Sequence, residues 1–284
     1  MRIAVTGATG AVGCEVARAL AGESGVRLVV RDVDKAARMG LPGEVHAADY
    51  GDVPALERAL AGAEALFVVT GNPLRPEHDE HILAAAKAAG VRHAVKISWT
   101  AVADPTADDL VARWNRRSEE LLRDSGLSWT VLRMRTPMSN ALGWAASIRD
   151  EGVVRALGGA DRTACVDPRD VAAVAVEALH GAEHAGRTYA LTGPEPISVR
   201  EQVEELAGVL QHPIRFEELT EEQAFARWCR RFPDEVARAL LQGAQRRAAG
   251  ASAAVEGTVA AVTGRAPANF ARWAADHADR FRAR

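Results

Sequence analysis

The sequence predicts an α/β protein whose parallel β-sheet is covered by helices on both faces. Two observations carry this prediction. A short apolar run, Arg2–Val5, leads into three glycines with the spacing G-x-x-G-x-x-G, namely Gly7, Gly10 and Gly13, and a helical pattern follows them. Strand-like and helix-like segments then alternate as far as Arg133, which is the pattern of successive right-handed βαβ crossovers.

Each element of the first half is predicted from its own pattern of apolar residues. Short apolar runs predict six strands, at Arg2–Val5, Val26–Arg31, Val45–Ala48, Ala65–Thr70, Val91–Ser98 and Trp129–Arg133. Helical periodicity predicts the elements between them, at Ala11–Leu20, Val33–Met39, Pro54–Ala61, Pro76–Ala89 and Asp108–Ser125. Ligands of such sheets bind at the carboxyl ends of the strands, where the strand order reverses.

The second half predicts a smaller, mostly helical lobe that is interleaved with the first domain. Its predicted elements are helix Pro137–Arg149, a turn at Gly158-Gly159, strand-like Thr163–Val166, helix Val171–Leu179, strand Thr188–Thr192, a strand near Ile214–Glu217 and a final amphipathic helix Ala266–Arg284. The strand at Thr188–Thr192 is expected to return to the main sheet. The domain prediction is therefore residues 1–135, with 163–192 returning to them, and 136–284 as the interleaved substrate-binding lobe.

Composition narrows the class of protein. A net charge of −3 gives no overall attraction to nucleic acid or to an anionic membrane, and no apolar run approaches membrane-spanning length. The three cysteines are far apart and odd in number, so they predict neither a disulfide framework nor a zinc site. Without a signal peptide before the first strand, the protein is expected to be cytoplasmic. The basic pairs Arg230-Arg231 and Arg246-Arg247 are expected on solvated helix faces.

The glycine-rich turn predicts a dinucleotide site. Unpaired N–H groups and the helix dipole at a helix N-terminus attract a phosphate anion, and glycine lets the backbone approach it closely. The turn follows a strand and opens a helix, which is the context that supports this interpretation over an ordinary glycine-rich turn. The residues expected to hold the pyrophosphate are Gly7, Thr9, Gly10, Ala11 and Val12.

The end of the second strand bears on which nicotinamide cofactor is bound. An acidic residue there binds the ribose 2′-hydroxyl of NAD, whereas an arginine accommodates the 2′-phosphate of NADP. Arg31 closes the strand and Lys35 follows one helical turn later, so NADP (NADPH) is favoured. Asp32 leaves NAD possible, and Arg31 is otherwise read as a surface residue at a strand end.

Several motifs together resemble the NmrA-like branch of the atypical short-chain dehydrogenases/reductases. They are Thr6-Gly7-Ala8-Thr9-Gly10-Ala11-Val12-Gly13, the strand end Val30-Arg31-Asp32, and Ser125-Gly126-Leu127-Ser128-Trp129-Thr130-Val131-Leu132-Arg133. Near the carboxyl terminus, Thr263-Gly264-Arg265-Ala266-Pro267 with Phe270 and Asp276-His277 is similar to the end of the quinone-reductase-like members. The resemblance spans nearly the whole chain.

The resemblance implies a Rossmann-type, doubly wound domain that binds NADP(H), joined to a small, variable substrate lobe. It implies that Asp49 lies near the adenine, that Thr70 and Gly71 lie near the nicotinamide ribose, and that Ser98 faces the nicotinamide. It also implies that the rim of the pocket is formed by Arg133, Thr136 and Pro137.

The sequence departs from the wider superfamily at the catalytic pair. Mainstream members carry Tyr-x-x-x-Lys on the helix after the fifth strand, where the lysine lowers the tyrosine pKa so that it can protonate an alkoxide. Here Asn115 and Glu119 occupy those two positions, and neither Tyr50 nor Tyr189 has a lysine four residues later. Quinone-reductase-like relatives often have His-x-x-x-Glu there, so this pair is altered as well.

A missing acid is costly for an ordinary ketone, because general acid catalysis contributes about a hundred- to ten-thousand-fold. A reduced quinone spreads its charge over a ring and needs less help. Ser98 and Asn115 are the candidate catalytic residues, whereas Glu119 is expected to be a solvated helix residue near Arg116 and Arg123. The side chains expected to form a wall for a flat ligand, or alternatively to pack in the core, are Trp99, Trp114, Met134, Met138 and Trp144.

These observations lead to two main hypotheses, beside a weaker one of an isomerase or epimerase of the extended dehydrogenase type, which usually keeps the tyrosine. The first is an NADPH-dependent reductase of a quinone or polycyclic aromatic ketone, acting as a monomer or homodimer on a small aromatic substrate. The Ala- and Arg-rich composition suits a GC-rich bacterium, in which the substrate could be an aromatic polyketide of antibiotic biosynthesis, with oxygen-dependent hydroxylation after reduction. The second is a non-catalytic NADP-binding redox sensor of NmrA type. His78 and His81 are expected on an exposed helix face, with no metal, since no third ligand accompanies them.

Overall fold

A computed structural model describes residues 1–282 of the chain. The chain divides into two compact units. The first unit contains residues 1–108, 112–134 and 168–190, and the second contains 109–111, 135–167 and the chain from residue 191 onwards. Each unit is therefore assembled from separate stretches of the sequence. No helix in residues 1–282 is both long enough and apolar enough to cross a membrane.

The strands and helices alternate through the first half, and helices dominate the end of the chain. The strands are β1 (Ile3–Thr6), β2 (Val26–Val30), β3 (Glu44–Ala47), β4 (Ala65–Val68), β5 (His93–Trp99), β6 (Ser128–Met134), β7 (Val153–Ala156), β8 (Arg162–Thr163), β9 (Arg187–Leu191), β10 (Ile197–Ser198) and β11 (Arg215–Glu218). The helices are α1 (Gly13–Ala19), α2 (Val33–Arg38), α3 (Val53–Leu60), α4 (Glu77–Ala88), α5 (Leu110–Asp124), α6 (Ala145–Glu151), α7 (Pro168–His180), α8 (Val199–Leu210), α9 (Glu221–Cys229), α10 (Asp234–Ala248), α11 (Thr258–Thr263) and α12 (Phe270–Asp276). Short 3₁₀ segments lie at Thr100–Ala103, Met138–Trp144, Ala182–His184 and Ala278–Arg280.

The first unit is built on a seven-stranded sheet with the order β3-β2-β1-β4-β5-β6-β9. Strands β1 to β6 pair in parallel, with Ile3 opposite both Val26 of β2 and Ala65 of β4. Strands β1 and β4 are buried along their whole length, as expected for a sheet covered on both faces. The predicted Rossmann-type fold is confirmed, including the return of the strand predicted at Thr188–Thr192, observed as β9 beside β6.

Local sequence signals explain where the helices of the first unit begin. Asp32 accepts a hydrogen bond from the amide of Lys35 at the start of α2, and Asp52 does the same for Ala55 at the start of α3. Both helices therefore begin within a residue of the position that the sequence predicts. The apolar runs form the buried strands β1 and β4, where propensity and burial agree, whereas the edge strand β3 is at most half-buried.

The second unit has a core of its own and two small sheets. Strand β11 pairs in parallel with β7, and β10 pairs antiparallel with β8. Its core is formed by buried side chains, among them Met138, Ile148, Val154, Cys165, Leu206, Phe270, Trp273 and Phe281. Capping boxes at Ser198 and Thr220 begin α8 and α9.

The structure differs from the sequence prediction at four places in the second unit. The helix predicted at Pro137–Arg149 is a 3₁₀ segment followed by α6. Strand β7 was not predicted, because only Val153 and Val154 form its apolar signal. The strand predicted at Thr163–Val166 narrows to β8 and a single bridge between Val166 and Pro137. The final helix ends at Asp276, and residues 283–284 of the predicted helix lie outside the described residues.

Candidate functional site

The order of the sheet reverses between β1 and β4, and the loops after these strands meet there. Thr6 joins the two strand ends, because its hydroxyl donates to the carbonyl of Phe67 over 3.2 Å and accepts from the amide of Val69 over 2.8 Å. A Cβ on Gly7 would lie 2.9 Å from the Cβ of Val69, so only glycine permits this approach. The geometry places the glycine-rich loop at the crevice where α/β sheets bind ligands.

The glycine-rich loop fits a pyrophosphate group. Gly7 has φ of +61°, and its carbonyl accepts from the amide of Gly10 over 2.8 Å. A Cβ on Gly13 would lie 2.2 Å from the carbonyl oxygen of Gly7, so α1 packs onto the loop only without a side chain there. Among the described residues, the amides of Ala11 and Val12 have no backbone acceptor and are left for a ligand.

Tyr50 supports this loop from beneath, and the sequence analysis did not assign it a role. Its hydroxyl accepts the amide proton of Gly7 over 2.6 Å, and burial raises the pKa of the phenol despite this hydrogen bond. His78 packs edge-on against the Tyr50 ring, and Nδ1 of His81 lies 2.9 Å from the Tyr50 carbonyl. The expectation of an exposed His78 is wrong, because its ring is buried against Tyr50. In residues 1–282 no group of three or more possible ligands is placed to hold a metal ion.

The end of β2 favours a phosphate on the adenosine ribose. The carboxylate of Asp32 accepts from the amide of Lys35 over 2.8 Å, so it serves as the N-cap of α2. The side chains of Arg31 and Lys35 are exposed at the same strand end and match the donors that a 2′-phosphate needs. Asp49, which the resemblance places near the adenine, accepts from the amide of Gly51 over 2.7 Å in the following turn.

A buried polar cluster lies behind the end of β4. Asp79 on α4 accepts from the ammonium of Lys96 over 2.7 Å, from the hydroxyl of Thr70 over 2.9 Å and from the indole N–H of Trp114 over 2.9 Å. The side chains of Asp79 and Lys96 are each only 1% exposed. Gly71, directly after Thr70, has open space where a Cβ would point.

This cluster changes the interpretation of two residues. Trp114 was expected in a wall for a flat ligand, but it is 9% exposed and its indole N–H is turned inward to Asp79. Thr70 stays a predicted cofactor residue, with its hydroxyl proton directed to the same carboxylate. The signal that could have revealed the cluster is Lys96, an ionisable residue among the apolar residues of the predicted strand Val91–Ser98, whereas Asp79 lies in a charged run and gives no such signal.

Ser98 at the end of β5 faces a buried carboxylate. Its hydroxyl donates to Oε1 of Glu119 on α5 over 2.6 Å. Arg133 donates from Nε to Oε1 of Glu119 over 2.9 Å and from Nη2 to Oε2 over 2.7 Å. Arg123 also donates to Oε2, over 2.7 Å. Burial by itself raises the pKa of Glu119, but the hydrogen bonds from Arg133, Ser98 and Arg123 outweigh it and hold the pKa below the usual range.

The expectation of a solvated Glu119 is therefore wrong, since its side chain is fully buried. The predicted neighbour Arg123 does contact it, whereas Arg116 instead donates to the carbonyls of Asp104 and Ala107. Glu119 is ionised and accepts all of the hydrogen bonds to its carboxylate, so it cannot act as a proton donor near neutral pH. The hydroxyl proton of Ser98 is likewise used in the hydrogen bond to Glu119.

The remaining predicted residues lie as follows. Asn115 is buried on α5, one turn before Glu119, and Trp99 is half-buried at the end of β5. Met134 is buried in β6. In the second unit, Thr136 and Pro137 pair with Val166, Met138 lies in the core and Trp144 packs against that core, half-buried. The roles assigned to these residues stay predictions.

A family profile described as NAD(P)H-binding matches residues 7–182. The (4-alkanoyl-5-oxo-2,5-dihydrofuran-3-yl)methyl phosphate reductase of Streptomyces griseus subsp. griseus is 51% identical over 279 residues, which cover 98% of this chain and 99% of that protein.

Solved structures agree with this result. The NADPH-dependent quinone oxidoreductase QOR2 of Escherichia coli, solved with NADPH, has a TM-score of 0.82 and 27% identity, over 96% of this chain and 99% of that one. A mutant NmrA has a TM-score of 0.74 at 16% identity, over 97% and 94% of the two chains, and shows the same fold. The chain therefore belongs to the NAD(P)H-binding family as an NmrA-like atypical short-chain dehydrogenase/reductase, and it is an NAD(P)H-dependent oxidoreductase.

Proposed function

We propose that the protein is an NADPH-dependent reductase that adds hydride to the ring C=C bond of a (4-alkanoyl-5-oxo-2,5-dihydrofuran-3-yl)methyl phosphate. This compound class is the one in the name of the Streptomyces griseus reductase, which is 51% identical to this chain over almost its full length. The proposal replaces the flat aromatic substrate of the sequence analysis with a small, acylated, unsaturated lactone that carries a phosphate ester.

The chemistry of this substrate suits a site without a strong acid. Ring carbon C4 lies between the lactone carbonyl and the alkanoyl carbonyl, and it is joined by the double bond to C3. When hydride is delivered to C3, the π electron pair moves to C4 and forms an enolate spread over two carbonyl oxygens. A proton from water then completes the reduced lactone. NADPH, when bound, supplies the hydride and becomes NADP⁺.

The observation that carries the proposal is the hydrogen bond from Ser98 to Glu119. Ser98 is the residue that would face a developing alkoxide, and its hydroxyl already donates its hydrogen bond to the ionised carboxylate of Glu119. An alkoxide from an ordinary ketone needs a proton in the transition state, whereas a delocalised enolate does not. The site therefore supports hydride addition to a doubly activated double bond over reduction of a simple carbonyl.

The chain's own residues have distinct parts in this scheme. The loop at Gly7–Gly13 binds the pyrophosphate, and Arg31 with Lys35 contacts the 2′-phosphate. The Asp79 cluster holds Thr70 at the ribose. The amide of Asn115 is the proposed donor to the enolate oxygen, because it is uncharged and lies one helical turn from Glu119.

The test is to follow NADPH oxidation with a synthetic phosphorylated 4-alkanoyl butenolide and to locate the transferred hydride. With NADPH deuterated at C4 of the nicotinamide, the proposal expects deuterium at ring C3 and an intact alkanoyl ketone. Deuterium on the alkanoyl carbonyl carbon, or the absence of turnover, would contradict it. A saturated lactone phosphate is the control, since it lacks the double bond and is expected to be inert.

A second candidate, reduction of a quinone or polycyclic aromatic ketone, is favoured by the likeness to the Escherichia coli quinone oxidoreductase. Its product anion is also delocalised, so the Ser98–Glu119 arrangement suits it equally. Naphthoquinones and anthraquinones, assayed with and without oxygen, separate the candidates. Faster turnover of a quinone than of the butenolide favours the second, and oxygen-dependent hydroxylation would add that step. Tight NADPH binding without turnover of any of them would favour the sensor hypothesis.

A further inference from the structure

Three arginines of the second unit converge on the carboxyl-terminal end of α10. Arg246 and Arg247 occupy its last turn, and the turn that follows is closed by hydrogen bonds from the amide of Ala251 to the carbonyl of Arg246 and from Gly250 to Arg247. Arg135 reaches the same turn, since its Nη1 donates to the carbonyl of Ala251 over 3.2 Å. Guanidinium nitrogens of Arg246 and Arg247 both approach Gly243, one turn earlier on the helix.

Within residues 1–282, Arg246 is the one of these arginines that has a carboxylate partner. Arg246 forms an ion pair of 2.5 Å with Asp109, which is itself buried. Within the described residues, neither Arg135 nor Arg247 forms an ion pair. Glu256 is the acidic group whose charge acts on Arg135, and Asp161 is the one that acts on Arg247, but both lie beyond ion-pair distance.

Arg135 and Arg247 are each partly withdrawn from solvent. The Nε atom of Arg135 is enclosed and has no hydrogen-bond partner in residues 1–282. Burial lowers the pKa of both guanidinium groups, although each remains charged at neutral pH. The expectation that Arg246-Arg247 lies on a solvated helix face is met only in part, because both side chains are partly buried.

Removing a cation from water without a counterion is unfavourable, and a bound anion would offset this cost. Cations at the carboxyl-terminal end of a helix interact favourably with its dipole, and this interaction stabilises Arg246 and Arg247 in the last turn of α10. The dipole does not account for Arg135, which comes from a distant stretch of the sequence, directly after β6, with its Nε unsatisfied.

We propose that Arg135 and Arg247 bind the phosphate ester of the substrate, as a phosphomonoester site that the paired Arg246 helps to hold in place. The inference rests on the proposed function, because it assigns the residues that recognise the phosphorylated lactone. A phosphomonoester carries nearly two negative charges at neutral pH, and its three terminal oxygens match the fork of guanidinium donors.

The experiment compares two variants, Arg135→Gln and Arg247→Gln, on the phosphorylated lactone and on its dephosphorylated alcohol. A hydrogen bond to a charged group contributes about 1.5–3 kcal/mol, so the KM for the phosphorylated lactone should rise about 10- to 100-fold in each variant. The KM for the alcohol and the kcat on it should stay within about twofold of wild type. Arg238→Gln, an exposed position on α10, is the matched control and should leave all constants unchanged.

Failure of the site and failure of the proposed function give different results. If the lactone phosphate is reduced and both variants keep its KM within twofold, the site is wrong and the function stands. If no lactone is reduced, the function is wrong and the site is judged by a second measurement. Inorganic phosphate is titrated against the full chain, with saturating NADP⁺ to occupy the cofactor's own phosphate contacts, and thermal unfolding is followed.

If the phosphate site exists, inorganic phosphate should raise the Tm of wild type and of Arg238→Gln above the Tm measured in chloride of equal ionic strength. The Tm of Arg135→Gln and of Arg247→Gln should show no such rise. Equal phosphate effects in all four proteins would overturn it. In chloride alone, the two variants should be as stable as wild type or more so, because an uncompensated charge has been removed. A lower Tm in chloride with an unchanged phosphate effect would show a purely structural role.

Discussion

The hydroxyl of Ser98 donates a hydrogen bond to Glu119 over 2.6 Å, and this arrangement differs from the role of the catalytic hydroxyl in mainstream short-chain dehydrogenases. There the hydroxyl is a proton donor to the substrate; here it is a donor to a carboxylate that two arginines keep ionised. The consequence is a strand end that positions groups and supplies little acid, at the place where we propose that the nicotinamide binds.

Replacing Ser98 by alanine should reduce kcat by less than about tenfold. A residue that acts as general acid contributes about a hundred- to ten-thousand-fold, and Ser98 has no free proton for that task. The measurement is steady-state NADPH oxidation with the lactone phosphate or, if that is inert, with a naphthoquinone. A loss of a hundredfold or more, with unchanged KM for NADPH, would show that Ser98 donates a proton after all.

Glu119→Gln should destabilise the fold by about 2–4 kcal/mol. The substitution leaves the guanidinium of Arg133 without its carboxylate, and breaking a buried ion pair costs about 3–5 kcal/mol, reduced here because Arg123 and Arg133 are partly exposed. Urea unfolding at neutral pH measures the change. Glu120→Gln, on the exposed side of α5, is the control and should change the free energy of unfolding by less than about 0.5 kcal/mol.

The stabilising effect of Glu119 should disappear in acid. Its pKa in the folded chain lies below the ordinary value of 4.5, so the unfolded chain binds the proton more tightly. The contribution is therefore complete above pH 4.5 and is lost as the pH falls through the lower, folded-state pKa. The difference in free energy of unfolding between wild type and Glu119→Gln should be constant from pH 7 down to about 5 and shrink at lower pH. A difference that grows in acid would contradict the assignment.

Arg31→Ala should raise the KM for NADPH about 10- to 100-fold and leave the KM for NADH nearly unchanged, because only NADPH carries the 2′-phosphate. Equal effects on both cofactors would refute the assignment of Arg31. Asp32→Ala is the informative companion. As an N-cap it should cost about 1 kcal/mol of stability without shifting the choice of cofactor.

Asp79→Ala should destabilise the protein by about 3–5 kcal/mol, since it leaves the buried ammonium of Lys96 without its carboxylate partner. The double variant Asp79→Leu with Lys96→Met removes both charges and should recover most of that loss in urea unfolding. Its KM for NADPH should nevertheless stay raised, because Thr70 has lost the carboxylate that orients it. Full recovery of both quantities would show that the cluster has no part in binding the cofactor.

The fold of the first unit could be predicted from sequence because local signals and burial agree there. Apolar runs such as Ala65–Val68 are read directly as buried strands, and Asp32 and Asp52 mark helix starts. The second unit was harder. Strand β7 is stabilised by pairing with β11, whose residues lie about sixty positions later, and no local pattern encodes such a partner.

The site could be predicted only where backbone geometry requires one residue type. Gly7 and Gly13 are such positions, because any side chain would clash. The burial of Glu119 on α5 could not be predicted, since the arginine that contacts both of its carboxylate oxygens, Arg133, comes from strand β6. Its helical neighbours alone suggested a solvated pair. Tyr50 was missed for the same reason: its partner, Gly7, is 43 residues away.

The interrupted path of the chain also affects the order in which the protein can be made. Strand β6 ends at Met134, but β9, which covers its edge, begins only at Arg187. While a ribosome delivers the intervening residues, β6 is an unpaired edge of a parallel sheet, and such edges invite association between nascent chains. No single cleavage point in the gene would separate the two units, so a fragment that stops after β6 is expected to aggregate where the full chain folds.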